Sequence, residues 1–193
     1  MSAAPGAAPE PSPPPIPSGA ASQSGPASES SQPIHTISLF VNNKPGVLVR
    51  VSLVFSRRGF NIESLVVSPG AEGRFSRMTM TCRGAAADLG QVVRQLAKLV
   101  DVVHAIDHTG DQSYEVEIAL VKLDCALDRR TEILQIAEHY KARVVDYGSE
   151  SLMLQVHGSS EKLDACLELL RPFGISELVR SGKLLMARGR RVT

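Results

Sequence analysis

The sequence predicts an α+β protein made of two βαββαβ units in tandem, preceded by a tail without structure of its own. Three observations carry this. Apolar residues switch between a period of two and a period near 3.6, and they do so in the same order twice. Glycine, proline and asparagine clusters punctuate the switches. Composition changes abruptly near residue 33.

Residues 1–33 contain most of the twelve prolines, and the rest are mainly Ala, Ser and Gly. Such a segment buries too little apolar surface to offset its ordering entropy, so it is expected to be disordered. It has no Lys, Arg or His, and its only charges are Glu10 and Glu29. A secretory signal needs a basic start and an apolar core, and an organellar transit peptide would be Arg-rich. Neither pattern is present, nor is a transmembrane run. The expectation is a cytoplasmic protein with no membrane partner.

The first unit opens with a β-rich run, Ile34–Val41. A helix over 46–58 puts Val47, Leu48, Val51, Val54 and Phe55 on one stripe. Gly59 suits the left-handed residue past its last turn. A strand, Asn61–Ser68, a turn-rich stretch to Gly73 and a second strand, Phe75–Cys82, follow. In that strand Met78, Met80 and Cys82 share one face, and Arg77, Thr79 and Thr81 the other. A second helix carries Leu89, Val92, Val93, Leu96 and Leu99. Val102–His108 closes the unit as a strand.

The second unit repeats the order. Tyr114–Leu123 alternates, with Glu115 and Glu117 outward at its start. Asp128 is a candidate N-cap for a helix bearing Ile133, Ile136, Ala137 and Tyr140. Arg143–Tyr147 and Leu152–His157 read as strands joined through Gly148-Ser149-Glu150. Ser160 is a candidate cap for a helix with Leu163, Cys166, Leu167 and Leu170 on one face. Ile175–Val179 closes the unit, and Ser181-Gly182 turns the chain into a last short strand, Leu184–Ala187. This is the split βαβ, or ferredoxin-like, plan twice over, with domains expected at 34–110 and 111–193. Each sheet would have two helices on one face. The other face would be left for another copy or another protein.

Composition excludes several functions. Net charge is +1 with signs interspersed, aromatics are 4% and there is no Trp. This leaves no footprint for nucleic acid. Cys82, Cys125 and Cys166 fit neither a disulfide framework nor a zinc site. No phosphate-binding glycine motif occurs. His104 and His108 lie on a strand pattern, about 13 Å apart, too far to share a metal ion. Arg57-Arg58 and Arg188–Arg191 are short basic runs suited to solvent or a partner. No catalytic constellation is evident, which points to recognition rather than catalysis.

The candidate for recognition is Val41-Asn42-Asn43-Lys44-Pro45-Gly46-Val47-Leu48, where the first strand meets the first helix. Pro45 suits a first helical turn, Gly46 leaves the backbone open to close approach, and free N–H groups at a helix start attract a carboxylate. Asn43 and Asn61 carry amides that can satisfy an ammonium or a carboxylate. Val47 and Ile62 are small apolar neighbours for an aliphatic side chain. As turn formers alone, the same Asn, Pro and Gly residues would be equally at home.

Several stretches are specific to a family: Asn43-Lys44-Pro45-Gly46-Val47-Leu48, Arg58-Gly59-Phe60-Asn61-Ile62-Glu63-Ser64-Leu65, Ser76-Arg77-Met78-Thr79 and residues 95–103. In the second half they are Glu117–Lys122, Gly158–Ala165, Arg180-Ser181-Gly182 and Arg188-Gly189. On these residues the chain from His35 to Gly189 resembles the small, regulatory subunit of acetolactate synthase, also called acetohydroxyacid synthase. The resemblance implies an N-terminal ACT domain and a C-terminal domain of related fold.

It also implies a homodimer through the ACT domains with a branched-chain amino acid between them. Asn43, Lys44, Pro45, Gly46 and Val47 would come from one copy, and Asn61 and Ile62 from its mate. Asn42 stands where relatives often have an acid, and Val47 where some have Ala. The implied role is non-catalytic: to activate a large catalytic subunit and confer feedback inhibition, usually by valine. That partner would use thiamine diphosphate, magnesium and FAD to condense two pyruvates to 2-acetolactate with loss of carbon dioxide. No cofactor would bind this chain itself. A free-standing tandem ACT-type amino-acid sensor, acting on transcription or another enzyme, is the alternative.

Overall fold

In a computed structural model, residues 32–125 and 127–193 are described. The expectation of disorder over 1–33 therefore falls almost wholly outside the described residues.

The first unit runs β1 (Ile34–Asn42), α1 (Val47–Arg57), β2 (Asn61–Pro69), β3 (Phe75–Arg83), α2 (Ala86–Leu96) and β4 (Val102–Asp107). Its antiparallel sheet has the order β2-β3-β1-β4, so β2 and β4 are the edges. The second unit runs β5 (Tyr114–Asp124), a 3-10 turn (Leu127–Arg129), α3 (Arg130–His139), β6 (Arg143–Tyr147), β7 (Ser151–Gly158), α4 (Ser160–Leu170), β8 (Ile175–Arg180) and β9 (Leu184–Met186). Its sheet order is β6-β7-β5-β8, with β9 paired to the first residues of β5. Two ferredoxin-like α+β units in tandem are thus present.

Each unit has its own core. Ile37, Leu39 and Val41 of β1 and Met78, Met80 and Cys82 of β3 pack against Val51 and Phe55 of α1 and Val92 and Leu96 of α2. Ala119, Val121 and Leu123 of β5 meet Leu152, Leu154 and Val156 of β7 under Ile133 and Leu163, Cys166 and Leu170. All three cysteines are free and buried. Burial pushes the Cys82 thiol up to about 12, with Asp107 adding to the effect.

α1 ends in a Schellman arrangement. Gly59, at φ 69°, donates to Ser56 O, and Phe60 N donates to Phe55 O at 3.1 Å. This turn drops Phe60 back into the core it left.

Four local expectations need correction. α1 starts at Val47, so Pro45 lies outside the helix and Gly46, at φ 82°, is the residue that turns into it. Asp128 does not cap α3; it sits within the 3-10 turn, and the N-cap position is Arg129. α4 is capped by Ser159, whose Oγ accepts from Lys162 N, rather than by Ser160. Glu117 is not outward: it is 5% exposed. Its parity is that of Ala119, Val121 and Leu123, so the alternation of β5 itself turns it inward.

The first sheet's second face is not left open. It presents Thr36, Ser38, Thr79 and Thr81, all buried. The chain's own last segment lies across it. A Cβ at Gly182 would meet Ser64 Cβ at 2.9 Å and Val66 Cγ2 at 3.3 Å, and His104 Nε2 lies 3.0 Å from Thr193 O. His108, also buried, pairs with Ser38 Oγ at 2.8 Å. His104 of β4 and His108 just past its end therefore serve different partners. The second sheet does keep an exposed apolar face, with Ile118, Leu120 and Val179 partly open to solvent.

Candidate functional site

The 42–46 loop is held from both sides. Asn42 N donates to Asp101 O at 2.8 Å, and Asp101 Oδ2 pairs with Arg50 at 2.7 Å. Asn43 N donates to Arg74 O at 2.9 Å, and its side-chain Nδ2 to Gly73 O at 3.0 Å. The loop is thereby pinned to the β2–β3 turn and to the approach to β4. Asn43, Lys44, Pro45 and Gly46 are exposed.

The start of α1 is unusual. No side chain caps it, as none caps α2 or α3, but unlike theirs its first turn contains no acid. The N–H groups at such a start carry the positive end of the helix dipole and want an anion. Gly46 has nothing within 4 Å of where a Cβ would sit, so space is open above it. A carboxylate fits this position chemically.

Asn61 begins β2. Its Nδ2 donates to Glu63 Oε1 at 2.9 Å, which Arg83 Nε also approaches at 3.2 Å. The Asn61 amide first, and then Arg83, hold the Glu63 carboxyl below the usual carboxylate range. The apolar candidates point inward. Val47 is buried in the first core, and Ile62 packs against that core. Neither forms a wall beside the exposed loop.

Within one chain the two groups of candidates do not meet. Asn61 pairs with Arg83, which pairs with Ile34 at the start of β1, whereas Asn42 pairs with Phe75 at its end. Eight strand residues separate the two levels, roughly 27 Å at about 3.4 Å per residue. The loop and Asn61 occupy opposite ends of the sheet.

Sequence reasoning missed a second polar cluster, at the junction of the units. Glu117 Oε1 accepts from Ser160 Oγ at 2.9 Å, and its Oε2 accepts from Arg180 Nε at 3.0 Å and from Arg180 Nη2. Arg180 also reaches Asp164 at 2.5 Å. Burial opposes the Arg180 charge, but Glu117 and Asp164 outweigh it and raise its pKa. This cluster, with Ser64, Thr81 and Glu63 of the first unit, lines a groove of about 450 Å³ between the units. The sequence signals were the parity of Glu117 in its strand and the family stretches that contain Glu117 and Arg180. Among the described residues, no group of three or more His, Cys, Asp or Glu is placed to hold a metal ion.

The fold defines a tandem ferredoxin-like scaffold of the kind found in regulatory subunits, and the comparisons name its family. The family described as the AHAS small subunit-like ACT domain matches residues 37–104, and that described as the small subunit of acetolactate synthase matches 116–189. The chain is 42% identical to the acetolactate synthase small subunit of Mycolicibacterium smegmatis, covering 82% of this chain and 94% of that one. It is 41% identical to the probable acetolactate synthase small subunit of Archaeoglobus fulgidus, covering 80% and 97%. The crystal structure of the acetolactate synthase small subunit from Thermotoga maritima superposes with a TM-score of 0.73 at 30% identity, covering 82% of this chain and 99% of that one. The chain belongs to the family of acetolactate synthase small subunits, and its first unit is an ACT domain.

Proposed function

We propose that this chain is a regulatory subunit that activates a separate catalytic large subunit of acetolactate synthase and makes it sensitive to valine or another branched-chain amino acid. The effector lies between two ACT domains. Its carboxylate sits at the uncapped start of α1 in one copy, and Asn61 of the other copy meets its ammonium.

The observation that carries this reading is the separation of the two half-sites. β2 runs in the same direction as β1 and is a sheet edge. Antiparallel pairing of β2 with β2 of a second copy puts the Asn61 end of one chain beside Pro69 and the 43–46 loop of the other. α1, which packs over β2, supports such a mate. Its outer side exposes Leu48, Val49 and Leu53, with Val49 62% exposed. An apolar stripe beside a bare strand edge is an association surface. A ligand sealed there favours the dimer and carries its occupancy to the partner enzyme as a coupling free energy.

The test is titration calorimetry of valine, leucine and isoleucine against the dimer, alongside acetolactate formation by the purified large subunit. Binding together with activation and inhibition supports the reading. Amino-acid binding without any effect on the large subunit would make the chain a free-standing sensor. No binding would remove the effector site.

A further inference from the structure

We propose that the large catalytic subunit docks in the groove between the β2–β3 turn and β9, inserting an apolar side chain flanked by carboxylates; this rests on the reading that such a subunit is the partner. The groove is about 610 Å³ and spans both units. Its floor is Phe40 of β1 and Phe75 of β3, stacked at 5.0 Å between ring centroids. Pro69 closes one side, and Met186 of β9, 65% exposed, the other.

Two arginines frame this floor. Arg74 lies 5.2 Å over the Phe75 ring, and Arg77 5.8 Å over Phe40. A guanidinium stacked on a ring keeps its N–H edge free for a carboxylate. Neither arginine has an ion pair or a side-chain hydrogen bond to a carboxylate among the described residues. Within the lining Glu72, at the tip of the turn, balances Arg77, and Arg74, stacked on Phe75 beside the lining, tips the sum positive. Aromatic, Met and Arg side chains in one exposed patch are the types enriched at protein interfaces.

Charge separates this surface from the other exposed apolar face. On the second sheet, Leu120 and Val179 flank Lys122 and Glu177, which already pair at 2.8 Å. The charges that line its apolar groove are thus already matched to each other. The α1 and β2 side is complementary to a second copy. The Phe40–Phe75–Met186 groove is the surface whose charge calls for an unlike partner. A protein seated there touches the ACT sheet and β9 together, so it senses any shift of one unit against the other.

The experiment uses the full chain and its purified large subunit, with affinity and activation measured at low and moderate salt. The double variant Arg74→Glu/Arg77→Glu should bind the large subunit roughly tenfold more weakly or worse. Met186→Asp, a change at an exposed position, should weaken binding similarly. Melting temperature should stay as in the unaltered chain, as should valine binding by Met186→Asp and large-subunit binding by Leu120→Asp. Unchanged affinity in both the arginine and Met186 variants would overturn the proposal, as would loss of binding in Leu120→Asp alone. If the unaltered chain itself failed to bind the large subunit, the proposed function would fall, and this surface with it.

Discussion

The proposed effector site rests on Gly46 and Asn61. Gly46→Asp has room for its Cβ but must adopt φ near 82°, which costs an L-residue about 1–2 kcal/mol and Asp less than most. The charge adds repulsion to a ligand carboxylate, and about 1.4 kcal/mol of it is a tenfold loss of affinity. Calorimetry should therefore show valine binding weakened at least about tenfold in Gly46→Asp. Gly46→Ala, which has the strain without the charge, should bind more nearly as the unaltered chain does. If both lose binding equally, backbone geometry and not charge explains the glycine. Asn61→Ala removes the largest influence holding Glu63 low, so an NMR titration should find the Glu63 pKa raised toward the ordinary value. The sign for stability follows: a depressed carboxylate contributes stability above its unfolded pKa and loses it as pH falls through its folded one. Asn61→Ala should flatten that acid-side dependence. The glycine's opportunity and the asparagine's amide were legible in the sequence. So was the inward turn of Val47, which stands four and eight residues before Val51 and Phe55 on the same buried stripe.

At the scale of elements, α1 and β5 make the sharpest claims. A helix buries one stripe, and α1 has a second apolar stripe outside. Val49→Asp with Leu53→Asp should leave the core residues Val47, Val51 and Phe55 in place. Sedimentation should then find a monomer, with melting temperature falling only as far as loss of the dimer requires. A dimer unaffected by both aspartates would move the interface away from α1. In β5, the inward Glu117 depends on Arg180. Truncating that arginine leaves a carboxylate with little water and one hydroxyl. Full burial of both partners would make the cost about 3–5 kcal/mol. The Arg180 side chain is 31% exposed, which lowers the expectation to roughly 2 kcal/mol in urea unfolding. A loss well under 1 kcal/mol would show that water or Ser160 alone satisfies Glu117.

For the whole molecule, the first sheet's hydroxyl-bearing face and the chain's last segment form one interface. A fragment of residues 32–110 retains all of the first core but loses the last segment, which lies across the face that bears Ser38, Thr79 and Thr81. Those side chains hydrate readily, so the fragment should fold and stay soluble, with a lower melting temperature than the full chain. It should also have lost valine sensitivity toward the large subunit, because Phe40 and Phe75 would no longer be joined to Met186. Full feedback from the fragment would confine both binding and coupling to the first unit.

The order of elements was written in the sequence, because the periods of two and 3.6 are imposed by strand and helix geometry and survive any packing. The family stretches around Asn43 and Asn61 were equally plain. What the tertiary structure decided was where one element meets another. Only the sheet order puts Asn61 and the 43–46 loop at opposite ends of one chain. Only the path of β9 brings Met186 beside Phe40 and closes the face that pattern alone left bare. Ser159 rather than Ser160 caps α4, and Glu117 rather than solvent receives Arg180, because backbone angles and long-range approach select among residues that local spacing cannot rank.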